Sequence, residues 1–209
     1  MNIWSIDNFI FKATNSGVDV YNESETLLGV VAYAAVSSVW ANDSYLYIGT
    51  TNSGVLRSPI SSISGAVYDD LNIYTSYPDI CNDNVNYIHG NGNYLCVATV
   101  SGVDIINMVT SSGVYTNSSI IADKCHQLSD RTSYYIYENN LKTVYSDDST
   151  YLYQSGDGII PTVSGINDLY IVDSINNLIL LATTNGAVAI EENKGNEANS
   201  RFRYYYRET

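Results

Sequence analysis

The sequence predicts an all-β chain assembled from five copies of one unit. Two observations carry that prediction. A short apolar run, a polar turn ending in Ser-Gly or Asn-Gly, and a second apolar run recur along the chain. No long stretch places apolar residues at helical spacing between a start and a stop signal.

The copies follow in order. Phe9 to Thr14 leads through Asn15-Ser16 into Gly17-Val18-Asp19-Val20, and Tyr45 to Thr51 leads through Asn52-Ser53 into Gly54-Val55-Leu56. Tyr94 to Thr99 leads through Val100-Ser101 into Gly102-Val103-Asp104-Ile105, and Leu178 to Thr184 leads through Asn185 into Gly186-Ala187-Val188. The anchor glycines Gly17, Gly54, Gly102 and Gly186 are spaced by 37, 48 and 84 residues, so the last interval holds a concealed copy. Tyr134-Tyr135-Ile136-Tyr137-Glu138 followed by Asn139 to Val144 has the same layout, with Asn140 in place of the glycine. Asparagine is the non-glycine residue that best tolerates a left-handed backbone. The resulting period of about 42 residues suits a four-stranded propeller blade.

Each copy reads as strands, because its runs are rich in Tyr, Ile, Val and Thr and have ordinary strand length. Further strand-like pieces lie between copies at Leu27 to Tyr33, Leu71 to Thr75, Val114 to Thr116, Tyr151 to Gln154 and Arg201 to Arg207. In Tyr45-Leu46-Tyr47-Ile48 and in Leu178 to Ala182 both alternating sets are apolar or amphipathic, so both sheet faces should be covered. Without helices to cover them, sheets must cover one another, as the blades of a propeller do. The expected fold is a five-bladed β-propeller with four-stranded antiparallel blades at about 1–35, 36–80, 81–122, 123–165 and 166–209, in one domain. It opens on an innermost strand near Ile3 to Ile6 and ends on an outermost one near Phe202 to Tyr206, with no strand borrowed across the closure. A β-sandwich of similar hairpins is the rival.

The segment Ser38-Val39-Trp40-Ala41-Asn42-Asp43-Ser44-Tyr45-Leu46-Tyr47-Ile48-Gly49-Thr50, with Gly54-Val55-Leu56-Arg57, resembles the repeat of two-component-regulator-type β-propellers. The resemblance implies a propeller and brings no catalytic motif. Propellers host sensors, lectins, enzymes and scaffolds alike.

Composition narrows the function. With 22 Asp plus Glu against 9 Lys plus Arg, a formal charge of −13 disfavours a nucleic-acid partner, which needs a basic patch. The run Arg201-Phe202-Arg203-Tyr204-Tyr205-Tyr206-Arg207 alternates arginine with aromatics and reads as an outer strand whose arginines offset neighbouring acids. The start, Met1 to Asp7, has neither a basic stretch nor a long apolar run, so no signal peptide is expected, and no segment is long and apolar enough to predict membrane insertion. Cys81, Cys96 and Cys125 are odd in number and widely spaced, which predicts buried residues in place of a disulfide framework or zinc site.

Chemistry-bearing patterns are sparse. Neither His89 nor His126 has metal-ligand spacing with another His or Cys, and no Ser, His and acid set stands out among the many serines. Asp69-Asp70, Asp147-Asp148 and Asn82-Asp83-Asn84 read as solvated turns, since none forms an EF-hand loop. No enzyme activity, metal or cofactor is expected. One column is worth following. Trp4, His89 and Asp173 each precede their anchor glycine by 13 residues, Gln127 takes that place in the irregular copy beside His126, and Ala41 takes it in the second copy beside Trp40. On the inner strands of a propeller, Trp4, Trp40, His89, Gln127 and Asp173 would ring the central channel, either filling it or holding a small polar ligand such as a sugar.

The 20 tyrosines point to contact surfaces, because Tyr offers a large rigid area with a hydrogen-bonding tip. A compact, acidic, Lys-poor β domain with this composition is similar in style to the virion proteins of bacteriophages. That likeness implies a non-enzymatic module, synthesised in the host cytoplasm and placed in the virion as decoration, fibre or tail component among other assembly proteins. The alternative is a carbohydrate-binding propeller, a lectin or host-recognition adhesin that contacts surface glycans.

Overall fold

The computed structural model describes residues 2–62, 80–118, 122–127, 132–137, 140–145, 166–173, 178–183, 186–193 and 201–207. These form antiparallel sheets contiguous in sequence, with a single 3-10 turn at Ile60–Ser62 and no α-helix among the described residues. Sheet 1 is β1 (Ile3–Ile6), β2 (Phe9–Thr14), β3 (Gly17–Asn22) and β4 (Leu27–Ala32). Sheet 2 is β5 (Val36–Ala41), β6 (Tyr45–Thr50) and β7 (Val55–Pro59). Sheet 3 is β8 (Val85–Asn91), β9 (Tyr94–Thr99), β10 (Gly102–Asn107) and β11 (Ser112–Asn117). Sheet 4 is β12 (Lys124–Gln127), β13 (Thr132–Tyr137) and β14 (Asn140–Tyr145), and sheet 5 is β15 (Ile166–Asp173), β16 (Leu178–Thr183), β17 (Gly186–Asn193) and β18 (Arg201–Arg207). In every sheet the strands lie side by side in sequence order.

The expected all-β class is therefore the observed one. Asn140 opens β14 as the concealed copy requires. The strand-like pieces at Leu71 to Thr75 and Tyr151 to Gln154, which would be the fourth strands of sheets 2 and 4, lie outside the described residues.

Apolar residues on both alternating sets do what the sequence demanded and place a core between successive sheets. Phe11, Val18, Val20 and Val31 of sheet 1 pack against Val39, Leu46, Ile48 and Leu56 of sheet 2. The opposite face of sheet 2, with Trp40, Tyr47 and Val55, packs on Ile88, Leu95, Val97 and Ile106 of sheet 3. Cys96, Ala98, Val103 and Ile105 continue from the far face of sheet 3 to Ala122 and Cys125 beside sheet 4. The first strands β1, β5, β8, β12 and β15 meet in succession.

The stack has two ends. Sheet 1 buries the face with Phe11 and Val20, while Ile3 is 56% and Leu27 51% exposed on its other face. In β16, Leu181 is buried while Leu180, on the opposite face, is 39% exposed. Among the described strands no extensive contact joins sheet 1 to sheet 5.

The turn chemistry repeats with the strands. Thr14, Thr50 and Thr99 each end a strand and donate Oγ1 to the carbonyl of the anchor glycine, Gly17, Gly54 or Gly102, at 3.0, 2.9 and 3.0 Å. The same oxygens accept the amide N–H of Ser16, Ser53 and Ser101. One hydroxyl thus satisfies the turn N–H and adds a bond to the glycine carbonyl, which at Gly54 also accepts the Thr50 N–H. Gly54 takes φ +71°, the left-handed region that favours glycine, and Gly17 takes φ +145°. Gly102 has no positive φ, so its place in the repeat rests on the threonine clip.

Candidate functional site

The channel-column residues lie on the first strand of each sheet. Trp4 is in β1, Trp40 in β5 and His89 in β8, and the structure brings these three together. The Trp4 and Trp40 rings are tilted with centroids 6.0 Å apart, and the Trp4 and His89 rings meet edge to face at 5.4 Å. Gln127 ends β12 and Asp173 ends β15, and their side chains lie outside the described part of the structure.

The three rings meet because consecutive first strands pack against each other and Trp4 reaches across two cores, between sheets 1 and 2 and between sheets 2 and 3. Its indole Nε1 donates to the carbonyl of Ala41 at 3.0 Å, tying β1 to β5. Asn2 supports the same junction by accepting the Val39 N–H on Oδ1. Between sheets 3 and 4, Asn86 plays the matching part. It is the residue skipped where the β8 to β9 register shifts, and its amide donates to the Ala122 carbonyl at 2.8 Å. A bulge turns its side chain into an inter-sheet clip.

Packing in the cluster is close. Trp40 is buried and lies 5.5 Å from Tyr47, its cross-strand partner in the β5 to β6 hairpin. A Cβ on Gly90 would come within 2.6 Å of the Trp40 ring, so glycine beside His89 is what lets the indole lie flat there. His89 is 8% exposed, and burial alone holds its pKa at about 4 against the ordinary 6.5. It is a neutral imidazole at physiological pH. The Trp40 Nε1 is buried and finds no hydrogen-bond partner. The arrangement therefore presents aromatic faces and one unsatisfied donor.

A second polar cluster was not legible in the sequence. Asp104 in β10 is fully buried, and its Oδ2 accepts both the backbone N–H and the thiol of Cys81 at 3.0 Å. Thr99 Oγ1 lies 3.1 Å from the same sulfur. Burial first, and then the hydrogen bond to Asp104, push the Cys81 thiol up to about 11. Asp104 Oδ1 finds no partner. Cys96 and Cys125 are buried as expected, whereas Cys81 is only half-buried. The shared Gly-Val-Asp of Gly17 to Asp19 and Gly102 to Asp104 gave no warning, because Asp19 is partly exposed and hydrogen-bonded to Tyr21.

The remaining polar patterns are local structure. Asn42 Oδ1 accepts the N–H groups of Ser44 and Tyr45, and Asn82 Oδ1 accepts that of Asn84, so both are turn formers. Asp69-Asp70 and Asp147-Asp148 lie outside the described residues. Among the described residues no three His, Cys, Asp or Glu side chains are grouped to hold a metal. No helix among them is long and apolar enough to cross a membrane.

Neither a family model nor a curated protein matches the chain. Solved structures do. The extracellular domain of BT4673, assigned as a one-component system in B. thetaiotaomicron, is propeller-like and superposes with TM-score 0.66 at 15% identity, over 99% of this chain and 27% of that one. The computationally designed Ika8 protein superposes with TM-score 0.61 at 10% identity, over 91% of this chain and 57% of its own. KlAtg21, solved in complex with the coiled coil of AgAtg16, gives TM-score 0.62 at 10% identity, over 88% and 63%. The chain thus spans little more than half of Ika8. At these identities the likeness concerns the fold alone.

Proposed function

We propose that the five sheets are blades of a β-propeller and that the chain is a non-enzymatic interaction module, a structural or surface component of a bacteriophage particle. The observation that carries the non-enzymatic reading is that the Trp4 ring packs against both Trp40 and His89. Trp4 spends its N–H on a backbone carbonyl, and His89 is buried and held neutral. Groups so occupied build a joint between blades, which leaves function to surfaces outside this cluster. The propeller reading is supported by the succession of first strands and by cores on alternate faces. The virion assignment rests on composition and charge.

Antibody raised against the recombinant chain should label intact particles released from the cells that make it. Unlabelled particles, with the protein found only in soluble lysate, overturn the virion assignment. A second reading, as a sugar-binding module, is favoured by the unpartnered Trp40 N–H beside the half-buried Trp4 indole. A glycan-array screen separates the two. Saturable binding that free sugar abolishes, and that Trp4→Ala removes, replaces the assembly reading with the lectin one.

A further inference from the structure

Two buried cysteines meet at the joint between sheets 3 and 4. Cys96 on β9 and Cys125 on β12 are free thiols, fully buried, in the core that these sheets share. Three neighbours fix the position of the Cys125 sulfur. It reaches the Tyr87 carbonyl on β8 at 3.8 Å, and it lies within hydrogen-bonding reach of the Ala98 backbone and of the Cys96 thiol. The β8 to β9 register pairs Tyr87 with Ala98 and His89 with Cys96, so Cys125 sits over the face of sheet 3 that carries Cys96 and Ala98.

Small side chains let the sheets come close enough for a bond. Stacked sheets ordinarily lie about 10 Å apart, yet β12 runs beside both β8 and β9 with Cα atoms within 8 Å. Cys96, Ala98, Ala122 and Cys125 fill this joint, whereas the cores on the two sides of sheet 2 hold Phe11, Trp40 and Tyr47. A disulfide spans about 4.4–6.8 Å between Cα atoms. Cys81 has no place in the arrangement. Its sulfur sits at Asp104 and Thr99, which register places with Val97 on the opposite face of sheet 3.

We propose that Cys96 and Cys125 are a latent disulfide, a site of reversible oxidation that locks β9 to β12 when the chain meets a low-molecular-weight disulfide. When the joint opens transiently, one cysteine attacks the small disulfide as a thiolate and releases one reduced thiol. The other cysteine then attacks the mixed disulfide, the bond between the two cysteines forms, and the second small thiol leaves. Two cysteine thiols are oxidised, one small disulfide is reduced, and the two cysteine protons end on the released thiols. Burial holds the Cys125 thiol well above its ordinary range, so the pair stays unreactive while the joint is shut. The pair needs neither the particle nor the sugar-binding reading. Packing alone holds sheets 3 and 4 together in a reducing medium, and a covalent bond is added in an oxidising one.

Incubation of the whole folded chain with oxidised glutathione, followed by mass spectrometry, tests it. The expected product has lost two hydrogens, about 2 Da. Chymotryptic peptides, which separate the three cysteines at Tyr87, Tyr94 and Tyr115, should show Cys96 joined to Cys125 and an alkylated Cys81. The oxidised chain should melt roughly 5–10 °C above the reduced one, because the bond joins residues 29 apart in sequence. Dithiothreitol should reverse both changes. Cys81→Ser, which keeps a hydrogen-bond donor beside Asp104, should oxidise in the same way, and Cys125→Ala should form no intrachain bond. Three alkylated cysteines after incubation, a bond that includes Cys81, or a bond that forms only in urea overturns the proposal. An oxidised chain that melts no higher than the reduced one also overturns it, since the bond would then be strained and the sulfurs not poised to meet.

Discussion

Acid should weaken this protein through His89, by an amount that follows from its burial. The imidazole meets the Trp4 ring edge to face and is buried, and its folded pKa is about 4 against 6.5 when exposed. Above pH 6.5 neither state takes up a proton, and His89 does not affect stability. Between 6.5 and 4 the unfolded chain binds a proton that the folded chain refuses, so stability falls with each step down in pH. Below about 4 both states are protonated and the loss levels off. At about 1.4 kcal/mol per pH unit, that window corresponds to a total loss of about 3 kcal/mol. His89→Gln, which cannot titrate, should abolish this part of the profile while leaving the contribution of carboxylates. Urea unfolding at intervals from pH 8 to pH 4 on parent and variant isolates the histidine as a difference curve, even with His126 also present. Superimposable pH profiles, or an imidazole titrating near 6.5 by NMR, would refute the reasoning.

Gly54→Val should cost more than about 1 kcal/mol, since φ +71° is strained for a β-branched residue and its Cβ would stand 2.9 Å from Ile80 Cδ1; an unchanged melting temperature would count against the turn assignment. Thr50→Val keeps the shape but strips both clip bonds from a buried site, so denaturant unfolding should register a loss of about 1–3 kcal/mol, whereas the exposed clip at Thr14 should lose less. Cys81, with its thiol raised to about 11, should react with iodoacetamide at pH 8 far more slowly than a free thiol, and Asp104→Asn should speed the reaction in a protein that remains folded. Equal rates in parent and variant would show that Asp104 does not hold the thiol.

Strand positions were legible because their signals are local. Runs rich in Tyr, Ile and Val placed Phe9–Thr14, Tyr94–Thr99 and Arg201–Arg207 residue for residue, and Tyr45–Thr50 to within one residue. Asn140 identified the concealed copy because tolerance of turn backbone is a property of the residue itself. The threonine clips had a signal that went unread, a Thr three or four residues ahead of each of the first three anchor glycines. The column Trp4, Trp40 and His89 was found by alignment to those glycines, but its state was not. Whether an indole faces a channel or a neighbouring ring depends on the spacing and tilt of sheets about forty residues apart in sequence.

Class and repeat thus came from the sequence, since hydrophobic period and turn preference act within a few residues. Tertiary structure alone decided which alternating face met a partner. It buried Asp104 yet left Asp19 half-open in the same Gly-Val-Asp context, and it held His89 neutral. It also left Ile3 and Leu180 uncovered at the two ends of the stack. Burial, and with it charge state and available surface, is set by what packs across a sheet, and that neighbour is distant in sequence.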